Sequence, residues 1–172
     1  MSEDAIRHAV PADLPAISDL HLRSWRSAYR GMLPDAYLDG PVADEMRARW
    51  SALPDPAIVL LCEGGFACCL LDRAVPYLDN LHAAPGRRRR GTGRRLMARL
   101  AGELLRQGHR ALSLTVIDAN APARAFYASV GGREGAPFPE RIGGAEIAIR
   151  EVAWDRPALV RLASLDAATG RA

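Results

Sequence analysis

The spacing of apolar residues changes along this 172-residue chain, and each change marks a predicted element. Short apolar runs predict buried strands at 6–10, 57–62, 66–71, 77–83, 111–117 and 147–154. Apolar residues three and four apart predict helices from Asp13, from Asp35 towards Trp50, after Gly93 and over 121–130. The order β-α-α-β-β-β-α-β-α-β predicts an α/β (α+β) fold with a mixed sheet flanked by helices.

Turn and cap residues fall at the expected boundaries of these elements. Gly64–Gly65 predicts a hairpin turn between two strands, and Gly108 is suited to the end of the long helix. Asp13 can cap the first helix, and Asn120 is placed to cap the short helix over 121–130. Because no repeat or linker interrupts the pattern, residues 1–172 are expected to form one domain, with 157–172 as a peripheral tail.

Composition limits the classes of protein to consider. Hydrophobic residues make up 49% and charged residues 25%, as in globular proteins. A helix needs about 20 apolar residues to cross a bilayer, and no segment approaches that length. The N-terminus mixes charged and apolar residues, unlike a secretory signal. A cytoplasmic protein with no membrane partner is therefore expected. Cys62, Cys68 and Cys69 are expected as free thiols in apolar strands, and without a histidine at ligand spacing no metal is expected.

The most informative stretch is an arginine- and glycine-rich turn between a strand and the long helix, in the sequence LHAAPGRRRRGTGRRLM at 81–97. A helix N-terminus presents unpaired amides and a partial positive charge, and Gly91 and Gly93 let an anion approach the backbone closely. The turn therefore predicts a phosphate site. It is not a Walker P-loop, because no Lys-Ser/Thr follows, and Leu96 stands where the dinucleotide fingerprint needs glycine.

A basic surface patch or a nucleic-acid contact is the alternative reading of the same arginines. Proteins that read nucleic acid usually place aromatic residues among the charges or present a recognition helix. Neither is evident here, and a simple basic patch does not require Gly91 and Gly93. The sequence therefore favours a small, closely held phosphate and no nucleic-acid partner.

Two motifs in this region carry a resemblance to a known family. The spacing Arg88-x-x-Gly91-x-Gly93 resembles the Q/R-x-x-G-x-G/A motif of the GNAT acetyltransferase superfamily. The segment Asn120-x-x-Ala123-x-x-Phe126-Tyr127, followed by Gly131, resembles that family's N-x-x-A-x-x-F-Y…G segment. Together the motifs cover about residues 78–132, and the sequence at 6–17 looks like the family's opening strand and helix.

This chain departs from the family pattern at two positions. Arg89 stands where many members have glycine, although the strict motif accepts any residue there. Gly132 stands where the family usually has phenylalanine, and this difference predicts looser packing near Tyr127.

The resemblance implies a mostly antiparallel central sheet and acetyl-CoA as the co-substrate. It places acetyl-CoA in a V-shaped opening between the strand ending near Ala83 and the strand ending near Ile117. It implies transfer of the acetyl group to a primary amine by direct attack in a ternary complex. The cofactor-binding residues it implies are Leu81, His82, Ala83, Arg88, Arg89, Arg90, Gly91, Thr92, Gly93, Arg94, Asn120 and Phe126.

Tyr127 occupies the position at which the family carries its general acid, and a phenol can protonate the leaving thiolate. For the general base, Asp79 is the first choice, with His82 or a relay through water as alternatives. Asp118 is an alternative as a cap or as a contact for the amine. None of the cysteines has an evident histidine base, so no acyl-enzyme is expected.

The acceptor is expected to be a small-molecule or peptide amine held against the N-terminal helices. Trp25, Tyr29 and Tyr37 are the candidate substrate-binding residues, although packing of the helices onto the sheet explains Trp25 equally well. Two other functions stay open, a non-catalytic acyl-CoA binder and a nucleic-acid-binding module. Members of the family are often dimers, so a homodimer is possible; the sequence identifies neither the acceptor nor the acyl chain.

Overall fold

Seven strands form one central sheet in the order β1-β2-β3-β4-β5-β7-β6. A computed structural model describes residues 5–84 and 91–169. Every neighbouring pair is antiparallel except β4 and β5, which are parallel. The prediction of a mixed, mostly antiparallel sheet is therefore confirmed. The strands are β1 (Arg7–His8), β2 (Ala57–Cys62), β3 (Gly65–Leu70), β4 (Tyr77–Ala83), β5 (Leu112–Ile117), β6 (Arg133–Ile142) and β7 (Ala145–Trp154).

Helices cover both faces of this sheet. Leu96, Leu100 and Leu104 of α4 are fully buried against one face, together with residues of α6. On the other face, Ile17 of α1 packs in a cluster with Phe66 of β3. The helices are α1 (Leu14–Ala28), α2 (Asp35–Asp39), α3 (Val42–Arg49), α4 (Thr92–Arg106), α5 (Ala121–Ser129) and α6 (Arg156–Thr169).

The N-terminal helices differ from the sequence prediction in two details. The Asp13 carboxylate does not cap α1; it accepts a hydrogen bond of 2.8 Å from the Val10 amide and pairs with Arg7, which fixes a 3-10 turn before the helix. The single helix expected from Asp35 towards Trp50 is two helices, α2 and α3. The break falls at Gly40–Pro41, where proline cannot continue the hydrogen-bond ladder.

The sequence prediction missed strand β6. Its segment, REGAPFPERI, shows no apolar alternation, and almost all of its residues are exposed. It forms a strand because a hairpin turn at Gly143–Gly144 returns the chain along β7, and both glycines have positive φ, at 58° and 82°. Pro137 is tolerated because β6 is an edge strand.

The expectation that 157–172 forms a peripheral tail is wrong for the part that the structure describes. Helix α6 spans Arg156–Thr169, and Leu159 and Leu162 are buried in the main core against α4. Asp155 accepts a hydrogen bond of 3.0 Å from the Ala158 amide and so caps the helix, while Pro157 lies in the first turn, where proline is favourable.

Two further local expectations from the sequence agree with the structure. Gly108 has a φ of 87° and follows the end of α4, where it closes the last turn. Cys62, Cys68 and Cys69 are free thiols on β2 and β3, two of them buried. Among the residues the structure describes, no helix is both long and apolar enough to cross a membrane.

Replacing Leu159 by alanine should destabilise the protein by about 2–5 kcal/mol, because it leaves a cavity in the core between α4 and α6. Urea unfolding followed by circular dichroism measures this loss. Val160→Ala, at the exposed position that follows Leu159, is the matched control. It should change the free energy of unfolding by no more than about 0.5 kcal/mol. Equal effects of the two substitutions would contradict the assignment of α6 to the core.

Candidate active site

The parallel strands β4 and β5 separate soon after they meet. Tyr77 pairs with Ser113, the Ser113 amide donates to the Pro76 carbonyl at 3.0 Å, and no further pair follows between the two strands as described. Past Tyr77, the facing edges of β4 and β5 therefore have no strand partner. They enclose an opening between the strand that ends at Ala83 and the strand that ends at Ile117, as the family resemblance implied.

A β-bulge lies in β4 beside this opening. Cys68 and Cys69 of β3 pair with Asn80 and Leu78, so Asp79 is the extra residue on β4. A bulge interrupts the alternation of a strand and redirects its side chains. Here it leaves Asp79 on the same groove as Tyr77.

The groove next to the opening has a volume of about 190 Å³. It lies between α1, the first residues of β4, the last residues of β5, and the β6–β7 hairpin. Its lining is mostly apolar and aromatic, with two carboxylates and a hydroxyl pair in which Tyr77 Oη and Thr115 Oγ1 are 2.7 Å apart. The lining residues are Trp25, Tyr29, Leu33, Tyr77, Asp79, Thr115, Val116, Ile117, Glu140, Ile142 and Ile149.

The two oxygens of the Asp79 carboxylate have different surroundings. Oδ2 accepts hydrogen bonds from Arg49 and from Asn80, the latter at 2.6 Å. Arg49 in turn stacks on the ring of Trp50, with its guanidinium carbon 5.2 Å from the ring centroid. Oδ1 has no hydrogen bond among the described residues, so this oxygen can accept a proton or bind an amine.

Tyr127 lies on α5, with its ring half-buried against Phe126 and Trp154 at centroid distances of 5.3 and 6.1 Å. Burial raises the pKa of the phenol, and the phenols of Tyr29 and Tyr77 raise it further, so Tyr127 keeps its proton at neutral pH. Tyr29 and Tyr77 both line the groove. Tyr127 Oη makes no hydrogen bond within the described residues. Because it is also absent from the fully enclosed side-chain atoms that lack a partner, this oxygen keeps some exposure.

The packing around Tyr127 corrects one expectation from the sequence. A side chain at Gly132 would meet Val152 at 2.6 Å, the Trp154 ring at 2.7 Å and the Tyr127 carbonyl at 3.0 Å. Val152 and the Trp154 ring already fill the space next to Gly132, so the prediction of looser packing near Tyr127 is wrong.

The N-terminus of α4 begins with the two glycines of the turn. Gly91 has a φ of 80° and is exposed, and the first bond of the helix runs from the Arg95 amide to the Gly91 carbonyl at 2.9 Å. The amides of Thr92, Gly93 and Arg94 therefore precede the helical ladder. A Cβ on Gly93 would lie 3.2 Å from the Phe126 ring, so α5 packs closely over this turn. Arg88, Arg89 and Arg90 lie outside the described residues.

The start of α5 is fixed next to this turn. Asn120 is buried, and its Oδ1 accepts a hydrogen bond of 3.2 Å from the Ala123 amide, which confirms the predicted cap.

Asp118, one of the alternatives for binding the amine, forms ion pairs with other residues of the chain. Its carboxylate pairs with Arg150 and with Arg124, and the hydrogen bond from Arg150 is the main cause of its lowered pKa.

A cluster of buried polar side chains lies behind β4. His82 Nδ1 is 2.8 Å from Ser24 Oγ, and the rings of His82 and His21 are 4.6 Å apart. Trp50 Nε1 donates to His21 Nδ1 at 2.9 Å, so the proton of neutral His21 is on Nε2, an enclosed atom without a described partner. Burial, followed by the effects of His82 and Arg49, lowers the pKa of His21 to about 2.

Only two of the three candidate substrate-binding residues line the groove. Trp25 and Tyr29 line the groove, but Tyr37 does not. Its ring is buried beneath Gly143 and its hydroxyl donates to Glu45 at 2.5 Å. Sequence reasoning missed Thr115 and the contribution of the β6–β7 hairpin to the groove.

Glu140 and Ile142 are the groove residues supplied by that hairpin. The Gly143–Gly144 pair between two β segments is the signal that could have found them. Leu81 and Ala83, expected at the cofactor, lie half-buried at the end of β4. In the ranges 5–84 and 91–169, no group of three or more His, Cys, Asp and Glu side chains is placed to hold a metal ion.

A sheet opened between two parallel strands, with a glycine-flanked helix N-terminus beside it, is the arrangement that the resemblance to acetyltransferases implied. A sequence model of the acetyltransferase (GNAT) family matches residues 16–131, and the chain belongs to this family. Over 170 residues it is 27% identical to the uncharacterized N-acetyltransferase YuaI of Bacillus subtilis (strain 168), covering 93% of this chain and 96% of that protein.

Solved structures of the family share the fold at low sequence identity. The PaiA N-acetyltransferase from Thermoplasma acidophilum, solved in complex with coenzyme A, has a TM-score of 0.67 and 19% identity, covering 90% of this chain and 100% of that chain. A GCN5-related N-acetyltransferase from Rhodopseudomonas palustris has a TM-score of 0.72 and 21% identity, covering 90% and 97%.

The buried neutral His21 predicts a pH dependence of stability. The unfolded chain takes up a proton near pH 6.5, whereas folded His21 stays neutral to about pH 2, so stability is lost as the pH falls through 6.5. Between pH 7 and 5.5 the wild type should lose about 1 kcal/mol more than His21→Gln. Urea unfolding of both proteins at the two pH values measures the difference; equal losses would contradict a buried neutral histidine.

Proposed function

We propose that this protein transfers an acetyl group from acetyl-CoA to a primary amine by direct attack in a ternary complex. One observation carries the proposal: the unpaired edges of β4 and β5 adjoin the groove that contains Asp79. A thioester bound along the strand edges would meet an amine that enters from the groove.

The residues present fit an extended anionic donor. The open edge of β4 at Leu81, His82 and Ala83 offers backbone groups to a pantetheine arm, as an added strand would use them. The amides of Thr92, Gly93 and Arg94 at the start of α4 suit a pyrophosphate, and Arg88, Arg89 and Arg90 would add positive charge.

Two more residues complete the proposed donor site. Phe126 closes over Gly93, and Asn120 fixes the helix that carries it. The neighbouring structure from Thermoplasma acidophilum was solved with coenzyme A, which supports this use of the site.

Tyr127 is the proposed general acid. When the carbon–sulfur bond of acetyl-CoA breaks, the leaving thiolate needs a proton, and Tyr127 Oη carries one at neutral pH. The oxyanion that precedes this step needs a hydrogen-bond donor, and the proposed donor is a backbone N–H at or near Leu81 on the open edge of β4.

Asp79 is the proposed general base. Free primary amines are mostly protonated at pH 7, so a proton must leave before the nitrogen can attack. Asp79 Oδ1 faces no described hydrogen-bond donor and can receive that proton directly or through a water, while Arg49 and Asn80 hold Oδ2. His82 is the alternative base, although its Nδ1 is already bonded to Ser24.

A thiol-release assay with a panel of primary amines tests the proposal. Incubation with acetyl-CoA and a good acceptor should release free CoA thiol, and mass spectrometry should find the acetylated amine. CoA alone should raise the melting temperature by mass action. Stabilisation by CoA without release of thiol to any amine would indicate a non-catalytic acyl-CoA binder, and no stabilisation at millimolar CoA would contradict a CoA site.

Changing Tyr127 to phenylalanine should lower kcat about 100-fold or more and leave stabilisation by CoA unchanged, because the substitution removes the phenol hydroxyl and keeps the ring. Steady-state kinetics and thermal shift measure the two effects. Ser129→Ala, on the exposed side of the same helix, is the control and should keep wild-type turnover. Unchanged kcat in Tyr127→Phe would remove the assignment of the general acid.

A further inference from the structure

The groove also indicates what kind of amine it accepts. We infer that the acceptor is a small amine carried on an apolar or aromatic body without a carboxylate beside the nitrogen, and that Glu140 at the groove rim selects it. This inference rests on the proposed function, because it assigns the acceptor of the same site.

The size and surface of the groove favour a small apolar body. Its volume of about 190 Å³ is below the about 300–1,000 Å³ of pockets that hold drug-sized ligands. Trp25 and Tyr29 contribute aromatic rings 5.0 Å apart, and Leu33, Ile142 and Ile149 contribute aliphatic surface. Burying apolar ligand surface against these side chains is favourable, at about 25 cal/mol per Å².

The charge of the groove favours a cation. Its two carboxylates belong to Asp79 and Glu140, and no Lys, Arg or His side chain is among its lining residues as described. Asp79 is balanced by Arg49, but Glu140 has no ion pair or hydrogen bond among the described residues. An acceptor with a carboxylate beside its amine would bring a second negative charge towards Glu140, whereas an ammonium group is attracted.

The β6–β7 hairpin places Glu140 at the rim. Glu140 pairs with Ile147, and residues two apart on a strand share a face, so Phe138, Glu140 and Ile142 form one row towards the groove. The Phe138 ring is 44% exposed and extends the apolar surface outwards from Glu140. An apolar body can therefore lie along this row, while the Glu140 carboxylate attracts the ammonium group as it enters the groove towards Asp79.

The test compares acceptors that differ only in the carboxylate. Values of kcat/KM are measured for 2-phenylethylamine, which lacks it, and for phenylalanine, which has it. The wild type should prefer the amine by at least about fivefold. Glu140→Gln should reduce this preference to about twofold or less, and Glu140→Arg should reverse it. Binding of both acceptors in the presence of CoA, measured by calorimetry, provides a second readout that does not depend on turnover.

Glu146→Gln is the matched control, because Glu146 is an exposed carboxylate on the same hairpin that does not line the groove. It should keep the wild-type preference. Equal use of both acceptors by the wild type, an unchanged ratio in Glu140→Gln, or faster acetylation of a peptide N-terminus than of the amine would overturn the inference and leave acetyl transfer intact. Bound CoA with no transfer to any amine would overturn both.

Discussion

The rest of the molecule depends on a gap in the backbone hydrogen bonding of its sheet. Buried N–H and C=O groups are costly when unpaired, so strands normally stay together along their full length. Here, in the part of the chain that the structure describes, the parallel strands β4 and β5 pair only at Tyr77 and Ser113. The sheet tolerates this separation because each half is antiparallel and paired on its other side, β4 with β3 and β5 with β7.

Two features beside this gap carry opposite charge. The start of α4 offers helix amides at Thr92, Gly93 and Arg94, and the sequence has a run of arginines before it. The groove holds the carboxylates of Asp79 and Glu140. On the proposed function, an anionic donor is attracted to the first feature and a cationic acceptor to the second, so both can bind at once.

Local sequence signals predicted much of this arrangement. The spacing of Leu96, Leu100 and Leu104 marks α4, and Asn120 marks the start of α5, because caps and apolar stripes depend only on nearby residues. Pro157 by itself suggests the beginning of a tail, but proline after a capping aspartate also begins a helix. The groove was predicted only in part, since its shape depends on which elements the fold brings together.

Strand β6 shows why sequence patterns missed part of the groove. Its residues have little burial of their own, and its conformation follows from the Gly143–Gly144 turn and the hydrogen bonds to β7. Side chains on such a strand can change without loss of a core contact. The start of α4, in contrast, is constrained by close packing between Gly93 and Phe126. On the proposed function, a fold of this kind can therefore vary its acceptor through β6 while its donor site stays the same.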